Sequence, residues 1–229
     1  GEERLNEQTF MMFAKWGVAK VKRSIGYSQN VNAKILDTLI TSLPNTRQPS
    51  DDHIAIVAAA VANDNMNPET LDAIAHGPLG RRREIMEAML GSPRVAADGN
   101  PNVADKTLLY YAQQSCHLPR PHDVASMIMS RKHVPTEAAM LLAEHPVTDV
   151  RRIVALSNLD DPKVLHAVWD NSGNLQDLKA TCLMHEKADY KLIQKGLNDP
   201  DWYVKETAQN TIRYRSGKGF YSDEPDYDT

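Results

Sequence analysis

The chain of 229 residues is long enough to bury a substantial core, and its 41% hydrophobic and 24% charged residues are ordinary for a folded protein. The net charge of −4 has one source: Asp223, Glu224, Asp226 and Asp228 near the C-terminus account for the whole acidic excess and leave the body neutral. A neutral body excludes the strong global field of a protein that grips nucleic acid mainly through phosphates, although local basic patches stay open. No apolar run reaches the length of a membrane span, and "AIVAAAVA", Ala55 to Ala62, is too short. Cys116 and Cys182 make no disulfide framework, which fits a reducing, cytoplasmic setting.

Strand signals are nearly absent, so the chain reads as short helices taken one after another. The first, expected over 5–23, puts Phe10, Phe13, Gly17 and Val21 on one face, with Lys15, Lys20, Lys22 and Arg23 around it. Such a helix can cap a helical stack, lie on an anionic membrane or dock in a partner's groove. Phe10, Met12 and Trp16 are its candidate contacts, because apolar residues spill beyond one stripe. A second helix follows at 31–42, and "SLPNTRQPSDD" is a linker by composition. Helices at 51–62 and 68–76 come next. The latter opens with Asn67 as N-cap and Pro68 at the first position, and Gly77 ends it.

The helix expected at 81–90 begins "GRRRE". Arg81, Arg82 and Arg83 in a first turn oppose the helix macrodipole, which marks them as candidate contacts for an anion or an acidic partner surface. A longer loop over 91–102 leads to helices at 104–115, 122–131, 136–143 and 149–157. Asp161 with Pro162, and Asp199 with Pro200, repeat the capped start before the helices at 161–169 and 202–214, with two more at 175–184 and 188–196 between them. Most of the thirteen are too short to stand alone in water, so packing must hold them.

"EHPVTDVRRIVAL" and "NDPDWYVKETAQN" superpose at a distance of 54 residues, and a shift of 27 carries Leu165 onto Leu192. A 27-residue unit holds two short helices, neither of which can bury its apolar stripe alone, so adjacent pairs must stack. The fold expected is all-α, an α-α superhelix of helix pairs, with capping helices in 1–45, the repeat body in 50–215 and an acidic, disordered tail in 216–229.

"HPVTDVRRIVA" and "DPDWYVKETA" resemble HEAT-like repeats and, more closely, leucine-rich repeat variants, through Asp149, Val150, Arg151 and Ala155 and then Asp201, Val204, Lys205 and Ala208. The middle copy departs, with Gly173 where proline is expected and Asp177 where valine is. The resemblance covers Leu142 to Asn210 and implies a solenoid that serves as a binding scaffold. It also supplies enzymatic relatives. The HEAT-like hydroxylases use several His-Glu pairs as iron ligands, whereas this chain has one, His185-Glu186. The HEAT-like DNA glycosylases place an Asp, tryptophans and basic residues on a concave wall, for which Asp201, Trp202, Trp169 and Arg151 are the matching residue types. The iron–sulfur domain of some leucine-rich repeat variants needs clustered cysteines, which this chain lacks.

Arg151, Arg152, Lys179 and Lys205 are expected along one edge of the stack, either as a ladder for phosphates or an acidic partner, or as ion pairs with Asp149, Asp177 and Asp201. Cys116, His117 and His122, with Cys182 and His185, are soft ligands at zinc-like spacing, but a C-x2-C pair is missing. Neither a catalytic constellation nor a cofactor is expected. The sequence therefore points to a non-catalytic scaffold binding another protein, itself included, through its concave face and N-terminal helix. A glycosylase-like nucleic-acid binder using the basic edge and Trp202 is the alternative.

Overall fold

The computed structural model describes residues 7–44, 46, 48–92 and 97–217. Most of the acidic tail, 218–229, and the first residues of the expected N-terminal helix lie outside them. Among the described residues there are fourteen α-helices, and two two-residue stretches, Gly91–Ser92 and Ala97–Asp98, pair antiparallel. The protein is all-α, and its chain divides into two compact units, Gly1–Pro135 and Thr136–Thr229.

The first unit holds α1 (Glu7–Trp16), α2 (Ala19–Gly26), α3 (Ala33–Thr41), α4 (Asp51–Val61), α5 (Pro68–His76), α6 (Arg83–Leu90), α7 (Asp105–Gln114) and α8 (Pro121–Met129). The single helix expected over 5–23 is two helices. Gly17 still donates its amide to Phe13 O at 2.8 Å, but Val18 is extended (φ −69°, ψ 161°) and starts a new helix. A β-branched residue behind a glycine is a poor helix continuation. The break frees α1 to pack on α3 while α2 packs on α4. The α2–α4 contact is backbone-close: a Cβ on Gly26 would stand 2.8 Å from Ala59 Cβ and from Ala60 N. The alanine-rich run of α4 is thus a two-sided contact, against α2 on one flank and α6 on the other. The column continues from α6 to α8. Gly91 ends α6 at φ 97°, a conformation that favours glycine.

The second unit holds α9 (Thr136–Ala143), α10 (Thr148–Leu156), α11 (Pro162–Asp170), α12 (Gln176–Met184), α13 (Tyr190–Leu197) and α14 (Trp202–Arg215). Its packing is local. Successive helices pair, α10 stacks on α12 and α12 on α14, and α9 stacks on α11. Val150, Leu178 and Val204 are each the third residue of their helix and each fully buried, so they fill equivalent places in the α10–α12–α14 column. Their spacing is 28 and then 26 residues, which is why a rigid shift of 27 lands on Asp177 instead of Leu178. Leu165 and Leu192 are likewise buried in α11 and α13.

The caps at Asn67 and Asp161 are as expected, each side chain accepting an amide of its own first turn. The third is displaced: α14 is capped by Asp201, whose Oδ1 accepts from the amides of Tyr203 and Val204, and Asp199 does other work.

Candidate interaction surfaces

Three of the four cations of the expected ladder are engaged by partners within the chain, and Arg151 alone is buried. Arg151 is 8% exposed, and its guanidinium donates to the carbonyls of His145 and Pro146 and to Thr148 Oγ1, so it staples the turn before α10 and is no contact residue. Arg152, one step of 100° around the helix, faces outward and bridges Asp149 (3.0 Å) and Asp177. The Arg152 hydrogen bond holds the Asp177 carboxyl below its ordinary range. Lys179 pairs with Asp199 at 2.7 Å and lies 5.3 Å over the Trp169 ring. Burial alone would raise the Asp199 carboxyl. The Lys179 hydrogen bond, the Asp201 amide and the Lys179 and Lys205 charges outweigh it and hold the group low. Of the four, Lys205 alone is exposed with no ion pair among the described residues.

A polar device that the sequence reading missed runs through the first unit. Asn63 Nδ2 donates to the carbonyls of Gly26 and Ser28, and Asn100 Nδ2 donates to those of Val61 (2.7 Å) and Asn63 (2.8 Å). Arg131 then reaches back to the carbonyls of Asn100 and Met89. Two residues on, Asn65 and Asn102 repeat the reach, to Val31 O and to Met66 O. The turns that follow α4, α6 and α8 are therefore each hydrogen-bonded to the turn of the layer before. The sequence carries a trace of this in N-x-N, which occurs four times, two of them "NDN" and "NPN" at these turns, 37 residues apart. In the second unit His185 takes the same part, its Nδ1 accepting the Lys187 amide and its Nε2 meeting Ser157 O at 2.9 Å after α10, whereas His145 and Asp199 make only the local bond, each accepting the amide two residues on.

The arginine triplet is dispersed. α6 starts at Arg83, Arg82 is its N-cap and Arg81 precedes it, so all three stay at the positive end of the macrodipole, where Glu84 in the first turn offsets them. Arg83 pairs with Glu87 at 2.7 Å, whereas Arg81 and Arg82 are exposed and form no ion pair among the described residues.

The N-terminal candidates meet a groove. Met11, Met12, Lys15 and Trp16 of α1 face Thr38 and Thr41 of α3 and the adjoining Ser42 across an open trough of about 610 Å³. Trp16 is 76% exposed and Met12 52%, while Phe10 is half-buried. In the second unit Trp202 is 71% exposed and packs edge-on against Tyr203. Leu156 and Met184 are exposed at matching places near the ends of the stacked helices α10 and α12.

Cys182 is buried, and burial pushes its thiol up to about 12, which makes it neither a nucleophile nor a ready metal ligand. Cys116 is exposed, and no group of three or more His, Cys, Asp or Glu that could hold a metal ion occurs among the described residues. No described helix is long and apolar enough to cross a membrane. No family model, curated protein or solved structure matches the chain.

Proposed function

We propose that this chain is a helical-repeat scaffold, of the kind its HEAT-like and leucine-rich-repeat-variant segments resemble, and that it binds another protein through the N-terminal helix pair and the exposed aromatic ends of the second unit. The observation that carries this is a contrast. Arg151, Arg152 and Lys179 are engaged by carbonyls and carboxylates of their own chain, while Met12, Trp16, Leu156, Met184 and Trp202 stand in water. Exposed large apolar side chains, tryptophan above all, are what interfaces use. The nucleic-acid reading keeps only Arg81, Arg82 and Lys205 as unpaired cations from its expected set, too few for a phosphate ladder.

Affinity capture from cell extract, with chemical cross-linking, tests the reading. A specific protein partner lost on Trp16→Ser or Trp202→Ser is the expected outcome. Recovery of no such partner, or salt-sensitive duplex binding abolished by Arg81→Glu with Arg82→Glu, would replace it.

A further inference from the structure

We infer that the α1–α3 groove is a receptor for a short acidic peptide segment of a partner protein, one that carries a large apolar side chain among its carboxylates. The inference rests on the protein-binding reading above and gives it a site and a chemistry.

Three features select this occupant. The first is the apolar wall: Met12 and Trp16 lie one helical turn apart and both are largely exposed, a socket for an aromatic or branched side chain. The second is charge. Lys15 lines the groove with its ammonium 5.2 Å over the Trp16 ring, and Lys22 reaches the groove end by donating to Ser42 Oγ at 3.0 Å. Among the described residues neither lysine has a carboxylate partner and no carboxylate lines the groove; Glu7, the one acid of α1 and α2, is paired with Lys34. Two uncompensated ammonium groups beside an apolar socket ask for carboxylates.

The third feature is the hydroxyl wall. Thr38 Oγ1 donates to Lys34 O, Thr41 Oγ1 to Asp37 O and Ser42 Oγ to Ala14 O, so each single hydroxyl proton is already committed. The Thr38 and Thr41 oxygens remain as acceptors for a peptide's backbone N–H groups, while Ser42 Oγ already accepts from Lys22. A lipid phosphate is an acceptor only and cannot serve that wall, and a flat bilayer does not enter a trough between two helices. A second copy presenting the same face would set Lys15, Lys20, Lys22 and Arg23 against their own counterparts.

An array of dodecapeptides probed with the labelled full chain tests this. One set combines Asp and Glu with Phe, Tyr or Leu, a second replaces every acid by Asn or Gln, and a third is basic. The acidic set should be retained about 10-fold over its amide counterparts, a preference that high salt erodes. Lys15→Glu at an exposed position with Lys22→Glu at a half-buried one should abolish that preference, and Trp16→Ser should remove binding to all three sets. Equal retention of acidic and amide peptides overturns the proposal. Selected peptides that ignore both variants reject this groove and leave the protein-binding reading standing, whereas an array with no selection while a partner is still captured from extract rejects only the peptide chemistry. Binding to phosphatidylserine vesicles lost on Trp16→Ser, or a concentration-dependent dimer lost on the same change, also overturns it.

Discussion

Changing Asn100 to aspartate alters one atom in the buried polar chain of the first unit and reverses its hydrogen-bonding sense. The side chain is 2% exposed; its Nδ2 donates at 2.7 and 2.8 Å to the carbonyls of Val61 and Asn63, and its Oδ1 accepts from the Asn102 amide at 2.8 Å. Asn100→Asp keeps the shape and the accepting oxygen but puts a second oxygen against two carbonyl oxygens. Each orphaned buried acceptor costs about 1–3 kcal/mol, so losing both should destabilise the first unit by about 2–6 kcal/mol at neutral pH. Folding raises the pKa of the introduced carboxyl, because burial and the two carbonyls disfavour its charge. The unfolded value is about 3.9, so the electrostatic part of the penalty is present in full above the folded pKa and shrinks as pH falls below it. Hydrogen exchange in urea, resolved by segment, separates the two units, and Asn30→Asp on the exposed surface is the control. A loss within about 0.5 kcal/mol of that control would refute the idea that these turns are tied together by asparagine.

Leu165→Ala should cost about 2–5 kcal/mol in the second unit, since the side chain is fully buried between helices; urea unfolding measures it. Two glycine substitutions should separate by what their new methyl meets. Gly26→Ala drives a Cβ to 2.8 Å from backbone Ala60 N, and Gly196→Ala meets chiefly the Leu183 methyls, which can rotate away. The first should fall at or above the upper end of about 1–3 kcal/mol and the second near the lower, by thermal melting. His145 is nearly inaccessible, and burial, then the Arg151 charge, lowers its pKa below 6.5. The folded state therefore resists protonation, and the second unit should lose stability as pH falls below about 6.5, by at most about 1.4 kcal/mol per pH unit for this one group. His145→Asn, which can accept the Val147 amide as Asn63 and Asn100 accept theirs, should flatten the acid limb measured by hydrogen exchange.

The neighbouring arginines show where the sequence stops being legible. "VRRIV" gives Arg151 and Arg152 the same charge and the same neighbourhood. A helix turns 100° per residue, so one guanidinium goes under the turn and the other into solvent. The N-terminal candidates Met12 and Trp16 were visible as apolar residues in excess of one stripe. The groove they line was not, because its other wall comes from Thr38, Thr41 and Ser42, some 26 residues on. The break at Gly17–Val18 was written in the chain, yet the amphipathic pattern runs across it and masks it.

By itself the sequence determined the local facts: helices without strands, the caps at Asn67 and Asp161, and a beat near 27 residues in the second unit. These depend on the preferences and periodicity of neighbouring residues, which any window of the chain carries. Tertiary structure alone decided which cations are free, which asparagines lock one layer to the next, and which side of each helix faces water. Those outcomes depend on what a distant segment places opposite each side chain, and no local pattern encodes that.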